Sequence, residues 1–163
     1  MSANKLHPSI ADTIEPMKPK KNIALIAHDH RKADLLDWAE YNSEHLSEHN
    51  LFGTGTTGSL VSEKLKLPVF TFKSGPLGGD LQIGTSIVQN EINVMIFFWD
   101  PLQAQPHDVD VKALQRISIV YNIPMACNRS SADFLITSPI MKTKYDRFIV
   151  DYSQRFKKDF DAQ

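Results

Sequence analysis

Short apolar runs of strand length recur along the chain, and segments with helical spacing separate them. Two of these runs, Asn22–Ala27 and Val94–Phe98, are apolar at almost every position. A strand that reads as a nearly continuous apolar run is buried on both of its faces. Strands of this kind that alternate with helices predict a parallel sheet that helices cover on both sides.

The pattern assigns five strands to this sheet. The other three are Asn50–Phe52, Val69–Phe72 and Met125–Cys127, and a sixth strand is expected over residues 147–151. Helices are predicted after the first four strands, ending near residues 48, 66, 89 and 121. The predicted fold is of the α/β class: a single doubly wound, Rossmann- or flavodoxin-like domain with a mostly parallel five-stranded sheet.

The 163 residues are enough for one domain with a substantial core. Residues 1–20 contain Lys, Pro, Asp and Glu but no apolar run, so we predict a flexible N-terminal tail before a domain over residues 21–163. The same composition excludes a signal peptide there.

Charge and cysteine content narrow the class of protein. A formal net charge of -1 favours neither nucleic-acid binding nor attraction to a membrane surface. No stretch is long and apolar enough to span a membrane. Cys127 is the single cysteine, so no intrachain disulfide can form, which is typical of a cytoplasmic protein.

The segment Phe52–Ser59 is the strongest indication of a ligand. It contains three glycines and three threonines, and it lies between a predicted strand and a predicted helix. Glycines let backbone N–H groups approach a ligand closely, and a helix N-terminus favours anions. Threonine hydroxyls add donors for phosphate oxygens. We predict a small phosphate ester as the ligand; an ordinary turn with a helix cap is the structural alternative.

Two better-known phosphate motifs do not fit this segment. Gly53, Gly55 and Gly58 have the spacing of the dinucleotide fingerprint, but they follow the second strand, and the next strand has no acidic residue at its end. A P-loop is excluded because no Lys follows the last glycine.

Polar residues follow each of the first four predicted strands, where a doubly wound fold binds its ligands. They include histidines, carboxylates and a cation that are candidates for chemistry: His28, Lys32, Asp80, His107 and Asp110. Some carboxylates could instead cap helices. A metal site at His28, Asp29, His30 and His107 is a further alternative. A carboxylate base, a neutral His and a phosphate grip together are the parts needed to enolise a triose phosphate.

Five motifs in this order and spacing resemble the methylglyoxal synthase family. They cover residues 27–30 (AHDH), 54–58 (TGTTG), 74–80 (SGPLGGD), 97–101 (FFWDP) and 106–114 (PHDVDVKAL). The resemblance runs from about Ile23 to Asp133, and it loosens after Ser138, near an insertion at Ser153.

The resemblance implies an activity and a set of catalytic residues. The family converts dihydroxyacetone phosphate to methylglyoxal and inorganic phosphate, without metal or cofactor, is inhibited by phosphate and is usually a homohexamer. By motif, Asp80 matches the catalytic base, His107 the residue at the carbonyl and hydroxyl oxygens, Asp110 a supporting acid and His28 a residue near the substrate.

The resemblance also implies the phosphate contacts, which match Lys32, Thr54, Thr56, Thr57, Ser74 and Gly75, with Gly55 inside the loop. Two alternatives stay open at this point. The first is a non-catalytic module that binds a phosphorylated ligand on the same fold. The second is a metal-dependent phosphoester hydrolase.

Overall fold

The structure is a computed structural model that describes residues 13–102 and 108–152, with residues 108–110 described by their backbone only. The strands of this part are β1 Thr13–Met17, β2 Asn22–Ala27, β3 Asn50–Thr54, β4 Val69–Phe72, β5 Val94–Phe98, β6 Met125–Ala126 and β7 Tyr145–Ile149. The helices are α1 Lys32–Tyr41, α2 Ser43–Ser47, α3 Gly55–Leu65, α4 Gly79–Val88, α5 Asp108–Val120 and α6 Arg129–Ile136.

Five strands form one parallel sheet in the order β4-β3-β2-β5-β6. β2 and β5 lie inside it, and the residues of β5 are all buried. Successive side chains of β2 enter opposite cores: Ile23 and Leu25 pack with α1, α3 and α6, whereas Ala24 and Ile26 pack with α4 and α5. The predicted doubly wound α/β fold with a five-stranded parallel sheet is therefore confirmed.

The first predicted helix is divided in two. α1 ends at Tyr41, and α2 begins at Ser43. Between them the buried Asn42 donates through Nδ2 to the Trp38 carbonyl at 3.0 Å. An Asn side chain that bonds to nearby backbone competes with the regular helix, which is interrupted at this residue.

A separate two-stranded ribbon lies beside the sheet. β1 pairs antiparallel with β7, so that Thr13 lies opposite Ile149 and Glu15 opposite Arg147. The predicted tail includes Thr13–Met17, which the structure places in a hydrogen-bonded strand. The sixth predicted strand exists, but it is β7 and it pairs with β1 outside the five-stranded sheet.

Hydrogen bonds from two buried cationic side chains, Arg147 and Lys21, connect the ribbon to the rest of the domain. Arg147, which is fully buried, donates through Nη2 to Glu15 Oε2 at 2.5 Å and to Asn90 Oδ1 at 2.9 Å. Lys21, also buried, donates through Nζ to the carbonyls of Lys18 and Thr143, both at 2.6 Å. The segments on both sides of the ribbon are thus joined to each other and to the end of α4.

No helix in the described part of the chain is long and apolar enough to cross a membrane.

Candidate active site

A cleft of about 380 Å³ opens at the carboxyl ends of β2, β3, β4 and β5. Parallel strands place their carboxyl ends at one edge of the sheet, so the polar residues that follow four strands meet there. The cleft is lined by Ile26, Ala27, His28, Asp29, Lys32, Thr54, Thr56, Thr57, Ser74, Gly75, Pro76, Asp80 and Phe97.

One wall is the turn from β3 into α3. Thr54 ends the strand, and its side chain makes no hydrogen bond that caps the helix beginning at Gly55. Thr54 and Thr57 are buried, whereas Thr56 is exposed to the cleft. The three hydroxyls and the N-terminus of α3 therefore form a cradle of donors that suits an anion.

The second wall is the turn that follows β4. It packs so closely on the cradle that a Cβ built on Gly55 would lie 2.8 Å from the backbone nitrogen of Ser74. The Gly55 N–H donates to the Lys73 carbonyl at 3.2 Å, which joins the two turns. Gly55 is absent from the cleft lining, and its role is to let Ser74 and Gly75 reach the cradle.

Asp80 lies in the first turn of α4 and is only 3% exposed. The turn before it is equally tight, because a Cβ on Gly79 would lie 2.0 Å from the Lys73 carbonyl oxygen. Gly78 has a φ of 93°, in the left-handed region that favours glycine. These two glycines deliver a buried carboxylate to the same cleft as the cradle.

His28 follows β2 and is 5% exposed. Its Nδ1 accepts a hydrogen bond from the backbone N–H of Asp100 at 3.1 Å, and its ring meets Phe97 edge-on at 5.1 Å. Two neighbouring strands, β2 and β5, therefore fix the ring in the cleft.

Lys32 brings a cation to the cleft one turn later. Its Nζ donates to Asp29 Oδ1 at 2.6 Å, and this hydrogen bond, together with the ammonium charge, lowers the pKa of the Asp29 carboxyl. Asp29 is mostly exposed, so the pair keeps the ammonium near the cradle without burying it.

The structure thus brings eight of the predicted site residues into one cleft: His28, Lys32, Thr54, Thr56, Thr57, Ser74, Gly75 and Asp80. His107 lies outside the described residues. Asp110 lies in the first turn of α5, and only its backbone is described. Ile26 and Phe97 also line the cleft, and neither was predicted as a site residue, although both come from predicted strands that end there.

Among the side chains that the structure describes, no group of three or more His, Cys, Asp or Glu residues could hold a metal ion.

The fold and the cleft define a doubly wound α/β domain with a phosphate-type cradle beside a buried carboxylate, and residues 34–127 match the family model of the MGS-like domain. The chain is 61% identical to a methylglyoxal synthase of Clostridium acetobutylicum over 88% of this chain and 99% of that protein. It is 57% identical to one from Leptospira interrogans over 85% of this chain and 94% of that protein.

A solved structure agrees with these relatives. The crystal structure of methylglyoxal synthase from Elizabethkingia anophelis superposes with a TM-score of 0.83 at 50% identity, and covers 89% of this chain and 95% of that chain. The chain belongs to the methylglyoxal synthase family.

Proposed function

We propose that this protein is a carbon–oxygen lyase that converts dihydroxyacetone phosphate to methylglyoxal and inorganic phosphate. One observation carries the proposal: the buried Asp80 carboxylate shares a cleft of about 380 Å³ with the Thr54–Thr57 cradle. A binding module needs the cradle, whereas the carboxylate adds a base where the rest of a bound triose phosphate lies. The names of the relatives support the same activity.

The phosphate group of the substrate is proposed to occupy the cradle. The N-terminus of α3 and the hydroxyls of Thr54, Thr56 and Thr57 donate to its oxygens, and the Lys32 ammonium balances its charge. Ser74 and Gly75 close the cradle from the opposite wall. The cradle fixes one end of a small substrate, so the three-carbon part extends toward Asp80 and His28.

Asp80 then acts as the base. It removes a proton from the hydroxymethyl carbon, and the electron pair of that C–H bond forms the carbon–carbon double bond of an ene-diolate. The negative charge develops on the former carbonyl oxygen, where hydrogen-bond donors stabilise the transition state. His28 is proposed as one donor, and His107 matches the family residue at these oxygens.

Elimination follows from the ene-diolate. Its electrons expel phosphate by breaking the bond between the terminal carbon and the bridging oxygen, which leaves the enol of methylglyoxal. The enol takes up a proton at that carbon and becomes methylglyoxal. Asp110 is proposed as a supporting acid. The bond breaks readily only when it lies out of the plane of the ene-diolate, and a rigid cradle can hold the phosphate there.

The proposal also covers inhibition by the product, the oligomeric state and the location of the enzyme. Inorganic phosphate is a product that fits the same cradle, so we expect it to inhibit the enzyme. From the family resemblance we propose that the protein is a homohexamer and that phosphate controls it allosterically. We also propose that it is located in the cytoplasm. No nucleic acid, membrane, metal or cofactor has a part in the proposed reaction.

The test incubates the full chain with dihydroxyacetone phosphate, with and without EDTA, beside Asp80→Asn and the control Asp37→Asn. Asp37 is an exposed residue that pairs with Arg129 away from the cleft. We expect methylglyoxal and phosphate in equal amounts, no effect of EDTA, loss of turnover by at least about 100-fold in Asp80→Asn, and full activity in the control.

The other outcomes separate the alternatives. Phosphate release without methylglyoxal would identify a hydrolase. Binding of the substrate without any turnover would identify a non-catalytic module and contradict the lyase.

A further inference from the structure

The imidazole of His28 receives a hydrogen bond that restricts where its proton can be. The Asp100 backbone N–H donates to His28 Nδ1 at 3.1 Å. A backbone N–H can donate but cannot accept, so Nδ1 must keep its lone pair to make this bond. In the neutral ring the single proton is therefore on Nε2.

We infer that the Asp100 amide fixes His28 as the neutral Nε2–H tautomer through the pH range in which a free histidine takes up a second proton. His28 then offers an uncharged N–H donor, and not an imidazolium, to a substrate oxygen in the cleft. The inference rests on the proposed function and specifies the chemical state of one residue of that site.

The amide is itself held in place by the turn that follows β5. Asp100 Oδ1 accepts the Leu102 N–H at 3.1 Å, and Pro101 between them has a fixed φ. The His28 N–H donates to the Phe98 carbonyl at 3.2 Å, which ties the histidine to the same strand end. Asp100 is therefore a positioning residue: its backbone acts on His28, and its carboxylate holds the turn.

Several charges near His28 act in opposite directions. The carboxylates of Asp29 and Asp80 line the same cleft, and Asp100 is adjacent, so all three favour an imidazolium. Burial and the Lys32 ammonium oppose it, and His30 is an exposed neighbour. The hydrogen bond decides between them, because protonation of Nδ1 would break it and set two N–H groups against each other.

A neutral donor has a chemical advantage in this cleft. An imidazolium next to a carboxylate makes that carboxylate a weaker base. A neutral Nε2–H can polarise the carbonyl of the substrate while Asp80 keeps its strength as a base. The same combination of a carboxylate base and a neutral imidazole serves another enolisation, that of triosephosphate isomerase.

The tautomer can be read directly by NMR. Long-range ¹H–¹⁵N spectra of the ¹⁵N-labelled full chain between pH 5 and 8 separate protonated from unprotonated ring nitrogens, and His28→Gln assigns the signal. We expect a protonated Nε2 and an unprotonated Nδ1 in His28 at every pH of the series. A proton on Nδ1, or the uptake of a second proton by His28 within this pH range, would overturn the inference.

Two variants test the part of Asp100. Asp100→Ala removes the acceptor for the Leu102 N–H, and we expect His28 to titrate or to show both tautomers. Asp100→Asn keeps an oxygen at that position and should preserve the spectrum. If His28 is the same in Asp100→Ala as in the wild type, the side chain of Asp100 has no positioning role. These spectra need no turnover, so an inactive protein with a neutral His28 would contradict the proposed function alone.

Discussion

The three threonines of the cradle differ in their burial. Their contributions to ligand binding and to packing can therefore be distinguished by mutation. Thr54 and Thr57 are buried where β3 meets α3, so replacing either one also removes packing. Thr56 is exposed to the cleft and can be changed with little effect on the fold. The ion pair of Asp29 with Lys32 offers a similar test, because Asp29 is exposed and can be replaced without a loss of packing.

We predict that Asp29→Asn raises the KM for dihydroxyacetone phosphate about two- to five-fold and leaves kcat nearly unchanged. The carboxylate holds the Lys32 ammonium at 2.6 Å, and an exposed pair of this kind contributes roughly 0.2–1 kcal/mol. The control is Asp34→Asn, which removes the Arg31–Asp34 pair of the same turn outside the cleft lining. Steady-state kinetics of the two variants measures the difference; equal KM values would contradict the prediction.

The strength of the Asp29–Lys32 pair depends on pH in a direction that the pKa of Asp29 determines. Because the Lys32 hydrogen bond lowers the pKa of Asp29, the pair is intact above the ordinary value of 3.8 and is lost as pH falls through the lowered pKa. The carboxyl therefore stays ionised at neutral pH, and a small change of pH there should not alter the contribution of the pair to substrate binding.

Helix α4 contains two glycines that differ in the space around them. Gly79 has no room for a Cβ, whereas Gly84 has room, so the two alanine variants form a matched pair. Gly79→Ala places a Cβ 2.0 Å from the Lys73 oxygen, so we expect a loss of about 1–3 kcal/mol in the free energy of unfolding and a loss of activity as Asp80 moves. Gly84→Ala has its nearest neighbour at 3.9 Å, so it should raise the free energy of unfolding by about 0.5–1 kcal/mol.

Urea titration with an activity assay on both variants tests this contrast. Equal stability of Gly79→Ala and the wild type would show that the turn before α4 can relax without cost.

The ribbon of β1 and β7 depends on a buried cation. Removing Glu15 leaves the fully buried Arg147 with Asn90 as its remaining described partner. We predict that Glu15→Gln lowers the free energy of unfolding by roughly 2–4 kcal/mol, somewhat less than for a pair buried on both sides because Glu15 is partly exposed. The double variant Glu15→Leu with Arg147→Met should recover part of that loss.

Asp146→Asn is the control for the ribbon, since Asp146 lies on β7 and forms an exposed pair with Lys144, the residue just before the strand. Its change in stability should stay within about 1 kcal/mol, as measured by the same urea titration. A loss in the control as large as that in Glu15→Gln would mean that the ribbon is sensitive to any change of charge.

Local sequence determined some elements and not others. β2 and β5 could be predicted because a strand buried on both faces must be apolar throughout. β1 could not, since it has no continuous apolar run, it is exposed on most of its length, and its partner comes from a distant segment of the chain. α6 was missed, although Asn128 accepts from the Ser131 N–H as a helix cap and Ala132 and Ile136 face the core.

One buried histidine, His49, makes the stability of the whole molecule depend on pH. Burial lowers the pKa of His49 from its ordinary value of 6.5, and His49 Nδ1 accepts the Lys21 N–H at 3.2 Å. The unfolded chain therefore takes up a proton near pH 6.5 that the native state accepts only at lower pH. The free energy of unfolding must fall as pH drops below about 6.5.

We predict that His49→Asn makes this decline between pH 7 and 5 shallower, because Asn keeps an acceptor for Lys21 but does not titrate. His30→Gln is the control for the loss of a histidine as such, since His30 is exposed whereas His49 is buried. Thermal unfolding at a series of pH values measures both; parallel curves for His49→Asn and the wild type would assign the decline to other groups.

The site was predictable to the extent that the whole fold was. The rule that ligands bind beyond the carboxyl ends of parallel strands brings residues from four separate segments together without any contact information. The apolar contribution of Ile26 and Phe97 was not predictable, because the face to which a strand residue points depends on the register of the complete sheet. The tight approach of Ser74 to Gly55 likewise depends on β3 and β4 being neighbours.

The pairing of β1 with β7 has a consequence for how the chain is made. A ribosome releases β1 before any of the other described strands, yet the two residues of its ion pair, Glu15 and Arg147, are 132 positions apart. β1 must remain without its partner while the parallel sheet assembles around β2, and it can pair only after β7 has been synthesised. Among the described strands, the first to be synthesised is thus among the last to be paired.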